Sequence, residues 1–238
     1  MTNDHDMELG TAGELGLTIE DIDRDGALSE ALETMYGSRA DFLRKATLGG
    51  AALLGALSVP GTGAAASSND VGILNYALTL EYVQASFYTE TERVGAVGSK
   101  ALEATRVVGA VERAHVKALR KALGSAAVAR PTFNFRGTTE DNTKFLKTAV
   151  AFEDLAVAAY KAQAPLIDSK PILAVAVSIH SVEARHAAWM RRLFGIIPAA
   201  AAFDGPLSKP KVTRIVASTH FIVSSGRTSR KGRPRFTG

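Results

Sequence analysis

The sequence contains no cysteine, which excludes disulfides, thiolate metal sites and thiol catalysis but does not locate the protein in a compartment. Aromatic residues make up only 7% of its 238 residues, although hydrophobic residues make up 46%. A large core with so few rings, in a chain rich in alanine, favours closely packed helices over a β-sandwich. The length fits one domain with appended segments.

Charge is unevenly distributed along the chain. The formal net charge is +4, but residues 1–37 carry ten acidic residues and one arginine, while residues 224–238 carry five basic residues and no acidic one. The net charge of the whole chain therefore averages over an acidic first segment and a basic last segment. We do not expect nucleic-acid binding from it.

A short apolar run follows a basic segment in the first third of the sequence. Ala46–Val59 is a run of 14 residues, shorter than the ~20 that span a bilayer as a helix. Pro60 ends it, and Ala64–Ala66 offers small residues for cleavage after Ala66. The segment resembles a twin-arginine export signal, except that Ala40 stands where the second arginine belongs.

We therefore expect export to the periplasm, cell wall or exterior, with no stable transmembrane span after cleavage. An uncleaved amphipathic or membrane-anchoring helix is the alternative. The expected organisation is an acidic segment plus export signal over 1–66, a helical bundle over 67–197, a C-terminal extension over 198–223 and a basic disordered tail over 224–238.

Four segments with helical periodicity follow Ser67, at about Asp70–Val94, Ser99–Leu123, Thr143–Ile167 and Pro171–Phe194. Their predicted N-caps are Ser68 or Asn69, Asp141 or Asn142, and Ser169, and the second and fourth helices are expected to end at Gly124 and Gly195. The first and last links are short, whereas the middle link is long. This pattern predicts an all-α four-helix bundle with a long crossover between helices 2 and 3.

The second and fourth helices each contain Glu-x-x-His, as Glu112 with His115 and Glu183 with His186. A spacing of three residues places both side chains on one helix face, so that they can hold the same ion. The motifs lie on the apolar stripe, where a solvated charge would not be expected.

The other two helices each place one glutamate on the core stripe, and the two halves of the sequence repeat. Glu81 and Tyr88 match Glu153 and Tyr160 at an offset of 72 residues, and the two Glu-x-x-His motifs match at an offset of 71. Two equivalent hairpins would bring all six metal-ligand candidates to one level of the bundle.

Four buried carboxylates repel one another, and burial of even one without a partner costs several kcal/mol. No lysine or arginine is interleaved on these stripes. Two divalent ions would balance the charge, and oxygen and imidazole ligands suit iron(II), manganese(II) or zinc but not a soft copper site. A core of glutamates and histidines that only hydrogen-bond one another is the alternative.

One glutamate from each of two helices and Glu-x-x-His from the other two is the pattern of ferritin-like di-iron and di-manganese proteins. Between Asn69 and Ile222 the sequence resembles the bacterial ferritin-like domain family that includes plant desiccation-related proteins. The resemblance is carried by Asn75–Tyr82, Ala151–Asp154, Val182–Trp189 and Ala202–Leu207.

The resemblance implies a dinuclear centre in which Glu112 and Glu183 bridge two divalent ions, with iron favoured over manganese. Glu81 and Glu153 are then terminal ligands, and each ion takes one histidine. Dioxygen or peroxide is the expected small-molecule substrate. The sequence is also compatible with a homo-oligomer.

Three functions are compatible with this reading: iron oxidation or related oxygen chemistry, peroxide disproportionation by a di-manganese catalase-like enzyme, and a non-catalytic stress-related or desiccation-related role. Tyr88 and Tyr160 are either ordinary core residues or hydrogen-bond partners of the ligands. His180 has a glycine, Gly109, at the matching position of the other half, so it is expected to pack or to be partly exposed.

Overall fold

A computed structural model of the protein describes residues 66–199 and 201–224. The acidic segment, nearly all of the predicted export signal and nearly all of the basic tail lie outside these residues. The described part contains four long helices: α1 (Ser68–Val94), α2 (Ser99–Leu123), α3 (Asn142–Gln163) and α4 (Lys170–Phe194). None of the described helices is long and apolar enough to cross a membrane.

The four helices form two hairpins that pack face to face. The first hairpin is α1 with α2, the second is α3 with α4, and between the hairpins α1 lies beside α3 and α2 beside α4. Residues 124–141 carry the chain across from one hairpin to the other. The predicted all-α, ferritin-like bundle with a long crossover is confirmed.

Polar side chains define the helix ends, with one shift from the prediction. The hydroxyl of Ser67, one residue earlier than expected, accepts from the Asp70 amide and caps α1. Asp141 caps α3 as predicted. Ser169 is the N-cap residue of α4, but its side chain makes no capping bond. The buried carboxylate of Asp70 accepts from the amides of Asp168 and Ser169 instead, which ties α1 to the start of α4.

A further helix, α5 (Lys209–Ser218), was not predicted. Its apolar residues Val212 and Val216 are buried against the bundle. Two short strands join the crossover to the segment that follows α5. β1 (Thr132–Phe133) in the crossover pairs antiparallel with β2 (Ile222–Ser224). The segment after the bundle therefore packs back over it and covers the side where α1 meets α3.

The buried apolar residues fall into two clusters. The first contains stacked and edge-on rings around Phe87, including Phe145 and Phe152. The second contains Leu78 and Leu119 among others. Along α1 and α2 the glutamates of the core stripe lie between residues of the first cluster and residues of the second. A polar layer therefore crosses the bundle between two dry regions.

Candidate metal centre

Each of the four helices contributes one fully buried glutamate to this layer. Glu81 of α1 is 1% exposed, and Glu112 of α2, Glu153 of α3 and Glu183 of α4 are 0% exposed. They face inward because each occupies a core position of its amphipathic helix, one or two turns from buried apolar residues. The structure brings together all four glutamates that the sequence placed on the core stripes.

His115 lies one turn after Glu112 and points into the same layer. Its Nδ1 atom is 3.0 Å from Oε1 of Glu183, 3.4 Å from Oε2 of Glu81 and 3.5 Å from Oε2 of Glu112. Three carboxylates from three helices thus surround one ring nitrogen.

His186 has the equivalent position in the second hairpin. Its Nδ1 atom is 2.9 Å from Oε1 of Glu112, 3.6 Å from Oε2 of Glu153 and 3.8 Å from Oε2 of Glu183. The two rings are tilted by 31° with centroids 6.5 Å apart. The pseudo-twofold relation that the sequence repeat indicated therefore holds for the arrangement of these side chains.

These short distances do not have the geometry of hydrogen bonds. Seven buried side-chain atoms of the six residues lack a hydrogen-bond partner: Oε2 of Glu81, both oxygens of Glu112, Nδ1 of His115, Oε2 of Glu153, Oε1 of Glu183 and Nδ1 of His186. A buried polar atom without a partner costs about 1–3 kcal/mol, and more when it is charged. Buried oxygens and nitrogens that lie this close together without hydrogen bonds form groups that could hold cations.

The ligand atoms form two overlapping groups, in each of which all atoms lie within 4.8 Å of one another. Glu81 and His115 belong to one group only, Glu153 and His186 belong to the other, and Glu112 and Glu183 belong to both. Each group offers three carboxylates and one imidazole, a donor set that suits divalent iron, manganese or zinc. The residues present therefore fit a bound metal.

Tyr88 and Tyr160 each support a glutamate of the opposite hairpin. The hydroxyl of Tyr160 on α3 donates to Oε1 of Glu81 on α1 at 2.6 Å. The hydroxyl of Tyr88 on α1 donates to Oε1 of Glu153 on α3. In both glutamates the second oxygen stays free for a ligand role.

Gln84 is a member of the centre that sequence reasoning missed. It is 3% exposed, and its Nε2 atom lies 3.5 Å from Oε2 of Glu183. The available signal was its position three residues after Glu81, on the buried side of α1. The repeat offers no second copy, since Ala156 occupies the matching position in α3. Glu112 and Glu183, which belong to both ligand groups, therefore have unequal surroundings.

The protons of the metal-free centre are shared unequally among the carboxylates. Burial, reinforced by the charge of Glu183, raises the pKa of Glu81 well above its usual value. Burial likewise raises the pKa of Glu153 to about 8. Burial would also raise the pKa of Glu112 and Glu183, but the adjacent His115 and His186 outweigh it, and both pKa values are lowered.

The two histidines shift in the opposite sense from ordinary buried imidazoles. Burial opposes their protonated form, but the surrounding carboxylates outweigh it and raise the pKa of both His115 and His186 well above the usual value. Without metal, bound protons supply the positive charge that balances the carboxylates of the layer.

His180 does not join the ligand groups. It is half-buried, and its Nε2 atom has no hydrogen-bond partner. Among the six site residues, His115 and His186 are the most exposed, at 9% and 6%. Because they stand on α2 and α4, the candidate metal centre lies closest to solvent on the side opposite to α5.

Comparison with known families agrees with this architecture. No curated protein sequence matches the chain. Residues 69–195 match the sequence model of a family described as a ferritin-like domain. That match covers α1 to α4 almost completely, including all six residues of the candidate metal centre. The chain therefore belongs to the ferritin-like domain family.

Proposed function

We propose that the protein binds two divalent metal ions in this centre, one in each ligand group. Glu81 and His115 would hold one ion, Glu153 and His186 would hold the other, and Glu112 and Glu183 would be shared by both. The observation that carries the proposal is the convergence of seven unpartnered buried ligand atoms in two groups that share two glutamates.

Charge supports two ions rather than one. Four carboxylates in a layer closed by apolar clusters carry four negative charges when ionised, and the two neutral imidazoles add none. One divalent ion would leave a net charge of −2 in a dry interior, which is expensive. Two divalent ions make the layer neutral without requiring protons on the ligands.

We propose iron as the physiological metal, ahead of manganese, and oxidation of iron(II) by dioxygen or peroxide as the chemistry. When bound, two iron(II) ions would each give up one electron, and the two electrons with two protons would reduce one dioxygen molecule to hydrogen peroxide. The protein holds the carboxylates through Tyr88 and Tyr160, fixes the spacing by four packed helices, and excludes bulk water with the apolar clusters on both sides.

The proposed setting is outside the cytoplasm. It is supported by the apolar run, the small residues before Ser67 and the resemblance to the family that includes desiccation-related proteins. We propose a small-molecule substrate and no nucleic-acid partner, since the centre is an enclosed layer of ligands.

Elemental analysis of the full-length protein, purified without added metal and again after anaerobic loading with iron(II), tests the proposal. We expect about two ions per chain, and an optical change when air is admitted. Glu112→Ala and Glu183→Ala should each lower the metal content, because each removes a ligand of both ions. Glu92→Ala is the matched control, since Glu92 lies on the same bundle but pairs with Arg113 instead. Unchanged metal content in Glu112→Ala and Glu183→Ala would refute the assignment.

The same preparation distinguishes iron oxidation from the two alternative functions. Steady evolution of dioxygen from peroxide by manganese-loaded protein, with no oxidation of iron(II) in air, would favour the catalase-like alternative. Stoichiometric metal with neither reaction, but a lower melting temperature after chelation, would favour a structural role.

A further inference from the structure

A small cavity lies between α1, α3 and α5, close to the metal centre. Its volume is about 10 Å³, near the lower limit for one water-sized molecule. Its lining is apolar except for Gln84, and consists otherwise of Leu80, Val83, Phe152, Leu155, Ala156 and Val216. Because six of its seven lining residues are apolar, the cavity offers a water molecule few hydrogen-bond partners.

The inner end of the cavity meets the metal centre at Gln84. The amide of this residue lines the cavity and lies 3.5 Å from a carboxylate oxygen of Glu183, which belongs to both ligand groups. A molecule in the cavity is therefore one side chain away from a bridging ligand.

The outer end of the cavity meets a larger cleft between α1 and α5. This cleft has a volume of about 320 Å³ and is lined in part by Thr79, Thr213 and His220. Leu80 and Val216 line both the cleft and the cavity. These two side chains therefore border both the cleft and the space beside the candidate metal centre.

We propose that the cleft and the cavity form the entry route for dioxygen, with Leu80 and Val216 as its gate and Gln84 at its inner end. The inference rests on the proposed function, since it names the oxidant that reaches that centre. Dioxygen is small, uncharged and apolar, so it passes an aliphatic gate without losing hydrogen bonds.

The same lining argues against the other solutes that the centre needs. Hydrogen peroxide would give up its hydrogen bonds to water among aliphatic side chains, and a hydrated metal ion would lose its hydration shell there. The ions can approach past His115 and His186, the most exposed residues of the centre, on the opposite side of the bundle. The fold thus gives the oxidant and the metal separate approaches.

Nuclear magnetic resonance of the full-length chain, both metal-free and loaded with diamagnetic zinc, tests the route without any turnover. Dissolved dioxygen speeds the relaxation of protons that it contacts. We expect the enhancement at the methyl groups of Val83 and Ala156 to be at least twice that at Val108, which is equally buried but does not line the cavity. Equal enhancement at all three would overturn the proposal.

Substitutions of the gate residue Val216 provide a second test by the same relaxation measurement. Val216→Phe should at least halve the enhancement at Val83 and Ala156, whereas Val216→Ala should increase it. Ile215→Phe is the matched control, because Ile215 is the neighbouring residue on α5, is exposed and lines neither space. Because one gate variant narrows the route and the other widens it, the test survives if Val216→Phe does not fold.

Oxidation rates of the iron-loaded protein with dioxygen and with peroxide then show whether the route is selective. Val216→Phe should slow oxidation by dioxygen several-fold and leave oxidation by added peroxide unchanged, while Ile215→Phe changes neither rate. Equal slowing with both oxidants would contradict a route selective for dioxygen. Failure of these tests with two metal ions still bound would remove the route and leave the proposed function standing.

Discussion

Tyr160 of α3 donates a hydrogen bond to Glu81 of α1 across the interface between the two hairpins, with 2.6 Å between the oxygens. Its counterpart Tyr88 of α1 donates to Glu153 of α3. Each tyrosine lies seven residues after the glutamate of its own helix and supports the glutamate of the other. The bonds therefore link the two hairpins and orient two of the candidate ligands at once.

Removal of either hydroxyl should weaken metal binding while the ligands stay in place. Hydrogen-bond partners of metal ligands typically affect affinity by about 10-fold to 100-fold, so we expect a loss in that range for Tyr160→Phe and for Tyr88→Phe. A competition titration with a coloured chelator measures it. Tyr82→Phe is the control, because the hydroxyl of Tyr82 contacts Arg120 and the crossover instead of the centre. Equal losses in all three variants would indicate a general effect on the fold.

The stability of the metal-free protein should fall as pH rises from about 6 to 9. The pKa of Glu153 is raised to about 8, above its value of about 4.3 in the unfolded chain, so its contribution is complete in acid and disappears as pH approaches 8. The raised pKa values of His115 and His186 act in the same direction, since their contribution is present below about 6.5 and lost through the folded pKa.

The lowered pKa values of Glu112 and Glu183 stabilise the fold above their unfolded pKa, and that contribution is lost only in acid. Melting temperatures from circular dichroism, recorded with a chelator present, check the trend between pH 6 and 9. A rise over this range would contradict it. With metal bound the slope should reverse, because the ions need the deprotonated ligands.

Metal binding should release protons at neutral pH. The raised pKa values keep His115, His186 and Glu153 protonated in the metal-free centre, and the ions must displace those protons. Calorimetric titration of zinc in buffers of different ionisation enthalpy counts them, and we expect more than one proton per chain at pH 7. The apparent affinity should therefore increase with pH. A titration heat independent of the buffer would show that the ligands are already deprotonated.

Asp70 should be important for stability although it is remote from the metal ligands. Its buried carboxylate accepts from the amides of Asp168 and Ser169 at the start of α4. Asp70→Ala leaves both amides without their acceptor, and we expect a loss of about 2 kcal/mol in the free energy of unfolding. Asp70→Asn keeps one acceptor oxygen and should lose less. Urea unfolding measures both variants, and equal stability of Asp70→Ala and the wild type would contradict the structural role.

The ligand layer was predictable because helical periodicity and the internal repeat act together. A charged residue on an apolar stripe is conspicuous, and Glu81, Glu112, Glu153 and Glu183 occupy matching places on four such stripes. The long crossover followed from the lengths of the links. These features are local in sequence, so they could be found without coordinates.

Other features depend on contacts between distant segments. The ten residues of α5 include few large apolar side chains, and it is stabilised by packing Val212 and Val216 against the bundle, which periodicity alone does not reveal. Gln84 gains its role only because α4 brings Glu183 next to it, 99 residues later. Ser169 occupies the predicted N-cap position of α4, but the bonds from the amides of Asp168 and Ser169 to Asp70 are long-range contacts that local sequence patterns do not reveal.

Anomalous X-ray scattering from crystals of the iron-loaded full-length protein tests the central claim most directly, because it identifies the element and gives its position. We predict two iron peaks in the polar layer, one beside Glu81 and His115 and one beside Glu153 and His186, with Glu112 and Glu183 reaching both. A single peak, or iron bound only elsewhere on the molecule, would contradict a dinuclear centre in this bundle.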